Sequence, residues 1–231
     1  MMDHPGRLIV FEGPDHVGRS THARFVKERL EAHGVASVTF GLARSRLLGE
    51  QIKREGHEIH DYGSRTRALL YATDLHDQLI HEIIPAYRAG YVVIADRYTI
   101  TPAVREEMRG TPLSWLQGLY DGAPEPDATI ILDIGPRRLL DRILYAQGGL
   151  ERLSNYECGL DLGLGTTSTT SFLAYQKKMR KRFREIASET DAHIISTNGT
   201  PLEVHSRVWD AIHPVVSGML EPIQITNGSD E

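Results

Sequence analysis

Five short runs of β-branched and other apolar residues recur along the chain, at residues 7–11, 36–40, 91–95, 128–133 and 193–196. They are mostly continuous rather than alternating, which is the pattern of strands covered on both faces in a parallel sheet. The segments between them carry helical periodicity. Residues 20–33 place Ala23, Val26 and Leu30 on one face and stop at Gly34, a glycine terminator. A longer pattern over 65–87 has Leu69, Leu70, Thr73, Leu79, Ile80, Ile83 and Ile84 as its apolar stripe, with Pro85 set to bend or end it. Pro136 suits the first turn of a further helix, which runs through Leu139, Leu140, Ile143 and Leu144 to Gly148. Two more helices are predicted over 171–188 and 201–212. Strand and helix thus alternate, and the fold class is α/β: a three-layer sandwich with a central parallel sheet of about five strands and helices on both faces.

Two segments depart from this rhythm. GGLERLSNYECGLDLGLGTTSTTS is rich in Gly, Ser and Thr, and its span of 148–170 reads as a mobile excursion from the core rather than a second domain. Residues 217–231 read as a flexible, poorly anchored tail. A chain of 231 residues suffices for one substantial α/β domain or two small ones, and we read residues 1–216 as one.

Composition narrows the function. A formal charge of -5 gives no electrostatic footprint for a polymeric nucleic acid. Cys158 is the only cysteine, so no intramolecular disulfide is possible and a reducing, cytoplasmic setting is expected. The apolar run near the start is too short for a signal peptide, and no stretch is long enough to span a bilayer, so no membrane partner is expected.

The candidate chemistry begins in FEGPDHVGRST, which joins the first predicted strand to the first predicted helix. Gly13, Gly18, Arg19 and Ser20 fit the spacing G-x-x-x-x-G-[K/R]-[S/T] of a phosphate-binding loop. Glycines let successive backbone N–H groups turn towards phosphate oxygens, and the helix N-terminus adds its positive dipole end. On this reading Gly13, Pro14, Asp15, His16, Val17, Gly18, Arg19, Ser20 and Thr21 line the donor phosphates, and Ser20 holds Mg²⁺. Arg19 stands where lysine is expected; its charge is the same, but a planar fork replaces a compact point charge. The alternative is a plain glycine turn capped by Ser20.

The rest of the chain adds to this loop. FEGPDHVGRSTHA resembles the pattern F-E-G-x-D-x-x-G-K-S-T of thymidylate kinases. LLYATDLHDQLIHEIIPAYRAGYVVIADRYTIT resembles that family's helix-to-strand segment ending in D-R-Y-x-x-S. PDATIILDI, with Asp141 and Arg142 on the following helix, resembles its P-D-x-x-x-x-L-D strand and the helix after it. The three occur in register between Leu8 and Trp209.

The resemblance implies a P-loop NTPase-type kinase fold with a lid. It also implies a nucleoside monophosphate kinase that passes the γ-phosphoryl of ATP, as its Mg²⁺ complex, to the 5′-phosphate of dTMP or a related nucleotide. Such transfer needs positioning and charge neutralisation more than covalent help. By similarity Arg97 binds the acceptor phosphate, while Asp96 supports Mg²⁺ or the attacking phosphate. Asp15 approaches the acceptor sugar and the metal, and Glu12 stands behind the loop. Tyr71 matches the aromatic that stacks on the acceptor base, and Thr101 keeps the hydroxyl that follows D-R-Y. The excursion is the lid, and Arg142 and Arg152 are candidates for donor-phosphate contacts. Arg19, Asp96, Arg97, Asp15 and Arg152 form the expected catalytic set. Family members are commonly dimers, and the stripe over 65–87 fits either a homodimer that buries it against a twin or an intramolecular core that needs no partner.

Departures fall at the acceptor end. Leu75 replaces an arginine that reads the pyrimidine, and Val104, Arg105 and Glu106 replace the base-contacting run, leaving Arg105 as an acceptor-binding candidate. The basic residue expected just after the second strand is missing near Phe40, with Arg44 or Arg46 able to serve instead. Two other readings therefore stay open: a kinase of the same fold for a different acceptor, and a nucleotide-binding protein with weak or no catalysis.

Overall fold

The computed structural model describes residues 6–220. Strands β1 (Arg7–Glu12), β2 (Ser37–Gly41), β3 (Val92–Asp96), β4 (Ala128–Asp133) and β5 (His193–Ser196) form one sheet in the order β2-β3-β1-β4-β5, every pair parallel. Helices α1 (Arg19–Ala32), α7 (Pro136–Gln147) and α10 (Pro201–Val216) contribute to the core on one face with Ile9, Phe11 and Ile130. The other face buries Leu8, Val10 and Val93 against α3 (Ser64–Gln78), α5 (Ile100–Glu107) and α6 (Leu113–Gly118), and Ile131 against α9 (Ser168–Glu189). Alternate residues of β1 thus enter different cores, so its sequence is apolar throughout instead of every second position.

The long helix expected over 65–87 is interrupted. After α3 comes a π-helical turn, Leu79–Ile83, and then α4 (Ile84–Arg88). Pro85 has no N–H to donate and its ring would meet the carbonyl four residues back; the wider turn before it relieves both. The buried face also differs from the expected stripe. It runs through Ala68, Ala72, Leu75, Leu79 and Ile83, while Leu69 and Ile80 are 49% and 66% exposed. Apolarity alone had merged two faces of the helix.

Short helices escaped the sequence reading: α2 (Gly49–Glu55), α5, α6 and α8 (Asn155–Cys158). Each has four to eight residues, too few for a 3.6-residue period to show. Part of the segment 148–170 packs onto the core, while residues 166–170 stay exposed. Tyr156 and Cys158 are 2% and 1% exposed, and Ser171 Oγ donates to the Gly159 carbonyl at 2.8 Å. Of the expected tail, Ser217–Met219 form a 3-10 turn and Met219 and Leu220 pack against the core; residues 221–231 lie outside the described residues. No helix among the described residues is long and apolar enough to cross a membrane.

Candidate active site

The phosphate-binding loop spans the gap between β1 and α1, at the C-terminal edge of the sheet where ligands meet open parallel sheets. Gly13 has φ 130°, and a β-carbon there would stand 2.7 Å from the Leu132 carbonyl oxygen, so only glycine fits. Gly18, at φ 107°, is the N-cap of α1 and supplies no side-chain cap. Side-chain caps occur on α8, α9 and α10, from Ser154, Thr167 and Thr200, whereas α3, α5, α6 and α7 also lack one, so it is the glycine loop ahead of α1 that sets this terminus apart. The first N–H groups of α1 have no side-chain acceptor at Gly18 and face the loop, the arrangement of a phosphate-binding helix start.

Asp96 closes β3 opposite Phe11 and Gly41. It gathers the two functional side chains at the start of α1. Arg19 Nε donates to Asp96 Oδ1 at 2.8 Å, and Ser20 Oγ donates to Asp96 Oδ2. Arg19 Nη1 also donates to the carbonyls of Gly13, at 2.7 Å, and Pro14. The guanidinium is 7% exposed and braces the loop from within; a lysine has no fork with which to make this set of bonds. Burial pulls its pKa down, and Asp96 opposes that shift.

Glu12 is fully buried and organises the far wall. Its carboxylate accepts the backbone N–H groups of Tyr98, Ile100 and Thr101 at 3.0, 3.1 and 3.0 Å, and the Thr101 hydroxyl. Burial raises its pKa while these four donors work against the rise. Thr101 is 0% exposed, so its hydroxyl braces α5 against β1; the expected acceptor contact is corrected accordingly. The turn that Glu12 holds carries Arg97 at φ 70°, a left-handed conformation unusual for a residue with a β-carbon.

Arg97 and Arg105 both point an Nη2 at Asp15, which accepts one on each carboxylate oxygen. Arg19 Nη2 stands 3.7 Å from the same carboxylate. Three guanidiniums therefore surround one loop carboxylate. Arg97 Nε is buried without a partner, and the Arg97 pKa is pushed down to about 9, by burial first and then by the Arg105 charge.

Beyond Arg105 lies Tyr71, half-buried, whose electrostatic neighbours are Arg105, Glu106, Arg67 and Asp74. Arg67 and Glu106 form a buried bidentate pair at 3.0 and 2.9 Å, and the Tyr156 hydroxyl donates to Glu106 Oε1 at 2.8 Å. The His60 ring stacks on Tyr156 at 4.6 Å, and Arg109 lies 3.6 Å from its centroid. The sequence reading missed this network, since lone Arg, Glu and Tyr residues far apart in the chain carry no spacing signal. Leu75, expected to face the acceptor base, is 1% exposed in the core, because its position on α3 faces the sheet.

Two other candidates stand apart. Arg142 donates to the carbonyls of Val17, at 2.8 Å, and Thr197, at 3.3 Å, tying the phosphate loop to the segment after β5. Arg152 is exposed in the turn before α8, and no hydrogen bond or ion pair joins it to the other candidates.

Known proteins place this geometry. Residues 11–157 match the family model for thymidylate kinase. A probable thymidylate kinase 2 from Saccharolobus solfataricus is 29% identical over 198 residues, covering 86% of this chain and 91% of that protein. A thymidylate kinase from Synechococcus sp. (strain JA-3-3Ab) is 29% identical over 213 residues, covering 90% and 95%. A probable thymidylate kinase from Pyrococcus horikoshii is 33% identical over 146 residues, covering 60% and 70%. With its parallel sheet and its glycine loop before α1, the chain belongs to the thymidylate kinase family, ATP-dependent phosphotransferases that act on small nucleotides.

Proposed function

We propose that the protein transfers the γ-phosphoryl of Mg·ATP to the 5′-phosphate of a nucleoside monophosphate, with dTMP the first acceptor to test. The observation that carries this reading is the convergence of Arg19, Arg97 and Arg105 on Asp15, beside Asp96 and the uncapped start of α1. Phosphoryl transfer needs such fixed positive groups around developing charge. Backbone N–H groups of residues 13–21 cradle the donor phosphates, and Arg97 orients the acceptor phosphate. Arg105 and the Tyr71 ring complete the acceptor side, and Asp15 holds both arginines until phosphate replaces it.

The Ser20 hydroxyl and the Asp96 carboxylate, already hydrogen-bonded to each other, form an oxygen donor pair that suits Mg²⁺. That ion would neutralise phosphate charge. Arg142 acts through the loop it braces, and Arg152 and segment 148–170 serve as the lid that excludes water. A homodimer and a cytoplasmic setting complete the proposal; exposed Leu69 and Ile80 on one side of the α3 region support the first. A second reading, a nucleotide-binding protein with weak transfer, draws support from Arg19 being spent on Asp96 and the loop carbonyls. A coupled ADP-release assay with Mg·ATP and dTMP separates them: ADP formation that depends on dTMP supports the kinase, and ATP binding without turnover on any acceptor supports the second reading.

A further inference from the structure

Six cations occupy eight positions of α9 at residues 177–184, KKMRKRFR, and three of the chain's five lysines lie among them, although the formal charge of the chain is -5. Helical spacing brings like charges together there: Lys177 with Lys181, Lys178 with Arg182, and Arg180 with Arg184. Such pairs destabilise a helix. On α1 the exposed cations are instead matched at the same spacing, Arg24 with Glu28 at 2.8 Å and Lys27 with Glu31.

The arginines of α9 have their own acids. Asp133 takes Arg180 at 2.6 and 2.8 Å and Arg184 at 2.9 Å, and Glu107 takes Arg182 at 2.9 Å. Lys177 and Lys178 are exposed and have no ion pair among the described residues, and Lys181 has only Glu185, at 3.5 Å. Pro136, at the start of α7, joins Lys177, Arg180, Lys181 and Arg184 around a groove of about 420 Å³, and the next two residues of α7, Arg137 and Arg138, are exposed as well.

We infer that this groove docks an acidic polypeptide segment, a short run of Asp and Glu exposed on a partner protein. Nothing in it depends on the reaction at the phosphate loop. From Lys177 to Arg184 the face runs about 10 Å, the length of about three extended residues, so point charges on flexible stems meet carboxylates spaced along a chain. The Arg180 fork, which would suit a phosphate bidentately, is taken by Asp133 together with one arm of Arg184. No aromatic side chain among the described residues lines the groove for a base to stack on, and the net negative charge of the chain disfavours a nucleic acid backbone.

The test is fluorescence anisotropy of a labelled hexaglutamate peptide titrated with the full chain, with and without Mg·ATP, beside labelled hexathymidylate. Hexaglutamate is expected to bind at about 0.01 M salt, to weaken as salt rises to about 0.15 M, to bind more tightly than hexathymidylate and to ignore Mg·ATP. Lys177→Gln with Lys181→Gln, which relieves repulsion within α9 and so leaves the fold intact, weakens peptide binding by about tenfold. Removing two cations from α1 instead, by Arg24→Gln with Lys27→Gln, changes it by less than about threefold. Each of four results overturns the inference: no hexaglutamate binding at about 0.01 M salt, an equal loss in both double variants, displacement by Mg·ATP, or tighter binding of hexathymidylate.

Discussion

Arg19 concentrates the problem of this site in one side chain. A lysine there would be a mobile point charge, free to follow the phosphates; the guanidinium is instead forked onto Asp96 and two loop carbonyls. It shapes the loop as much as it charges it. Removing it leaves Asp96 without its strongest cation and the loop without its internal brace, so Arg19→Ala should lower transfer by at least about 10²-fold. Arg19→Lys should retain or increase transfer, since an ammonium can leave the carbonyls for the phosphates. Both are read by ADP release, and a dead lysine variant beside an active native protein would refute the view that arginine stands in for lysine. The motif spacing made this position legible from the sequence; the direction of its bonds was not, because Asp96 is far away in the chain.

Between elements, the junction of β1, β3 and α5 decides whether the acceptor arginines are in place. Arg97 is held left-handed at a cost of about 1 kcal/mol or more, and the buried Glu12 carboxylate offsets this by fixing the N–H groups of Tyr98, Ile100 and Thr101, three of the next four. Glu12→Ala would leave those donors buried and unpaired, at about 1 kcal/mol or more each. We therefore expect a loss of about 3 kcal/mol in chemical denaturation; a loss under about 1 kcal/mol would show that water replaces the carboxylate. The resemblance put Glu12 near the loop, yet only the fold revealed it as the anchor of the turn after β3. The same holds for Thr101, which the sequence aligned with a ligand contact and the structure buries as a brace.

Across the whole molecule, Leu69 and Ile80 are among the large apolar residues that stay exposed within the described residues. Leu69 and Ile80 lie about three helical turns apart on the α3 side and stay exposed, where the core claimed the neighbouring face. Sedimentation velocity should give a dimer, and Ile80→Glu should shift it to monomer with the circular dichroism unchanged; a native monomer at micromolar concentration would count against the assembly. By itself the sequence determined the five strands to within a residue or so, most of the longer helices and the phosphate loop, because these depend on local periodicity and on glycines whose backbone needs are local. Tertiary structure alone decided which face of α3 is buried, that Tyr156 and Cys158 within residues 148–170 pack down, and that Leu75 is core. It also decided that Arg67, Glu106 and Tyr156 consume one another's hydrogen bonds. Such pairings join residues tens of positions apart, and their satisfaction depends on burial and distance, which no local pattern records.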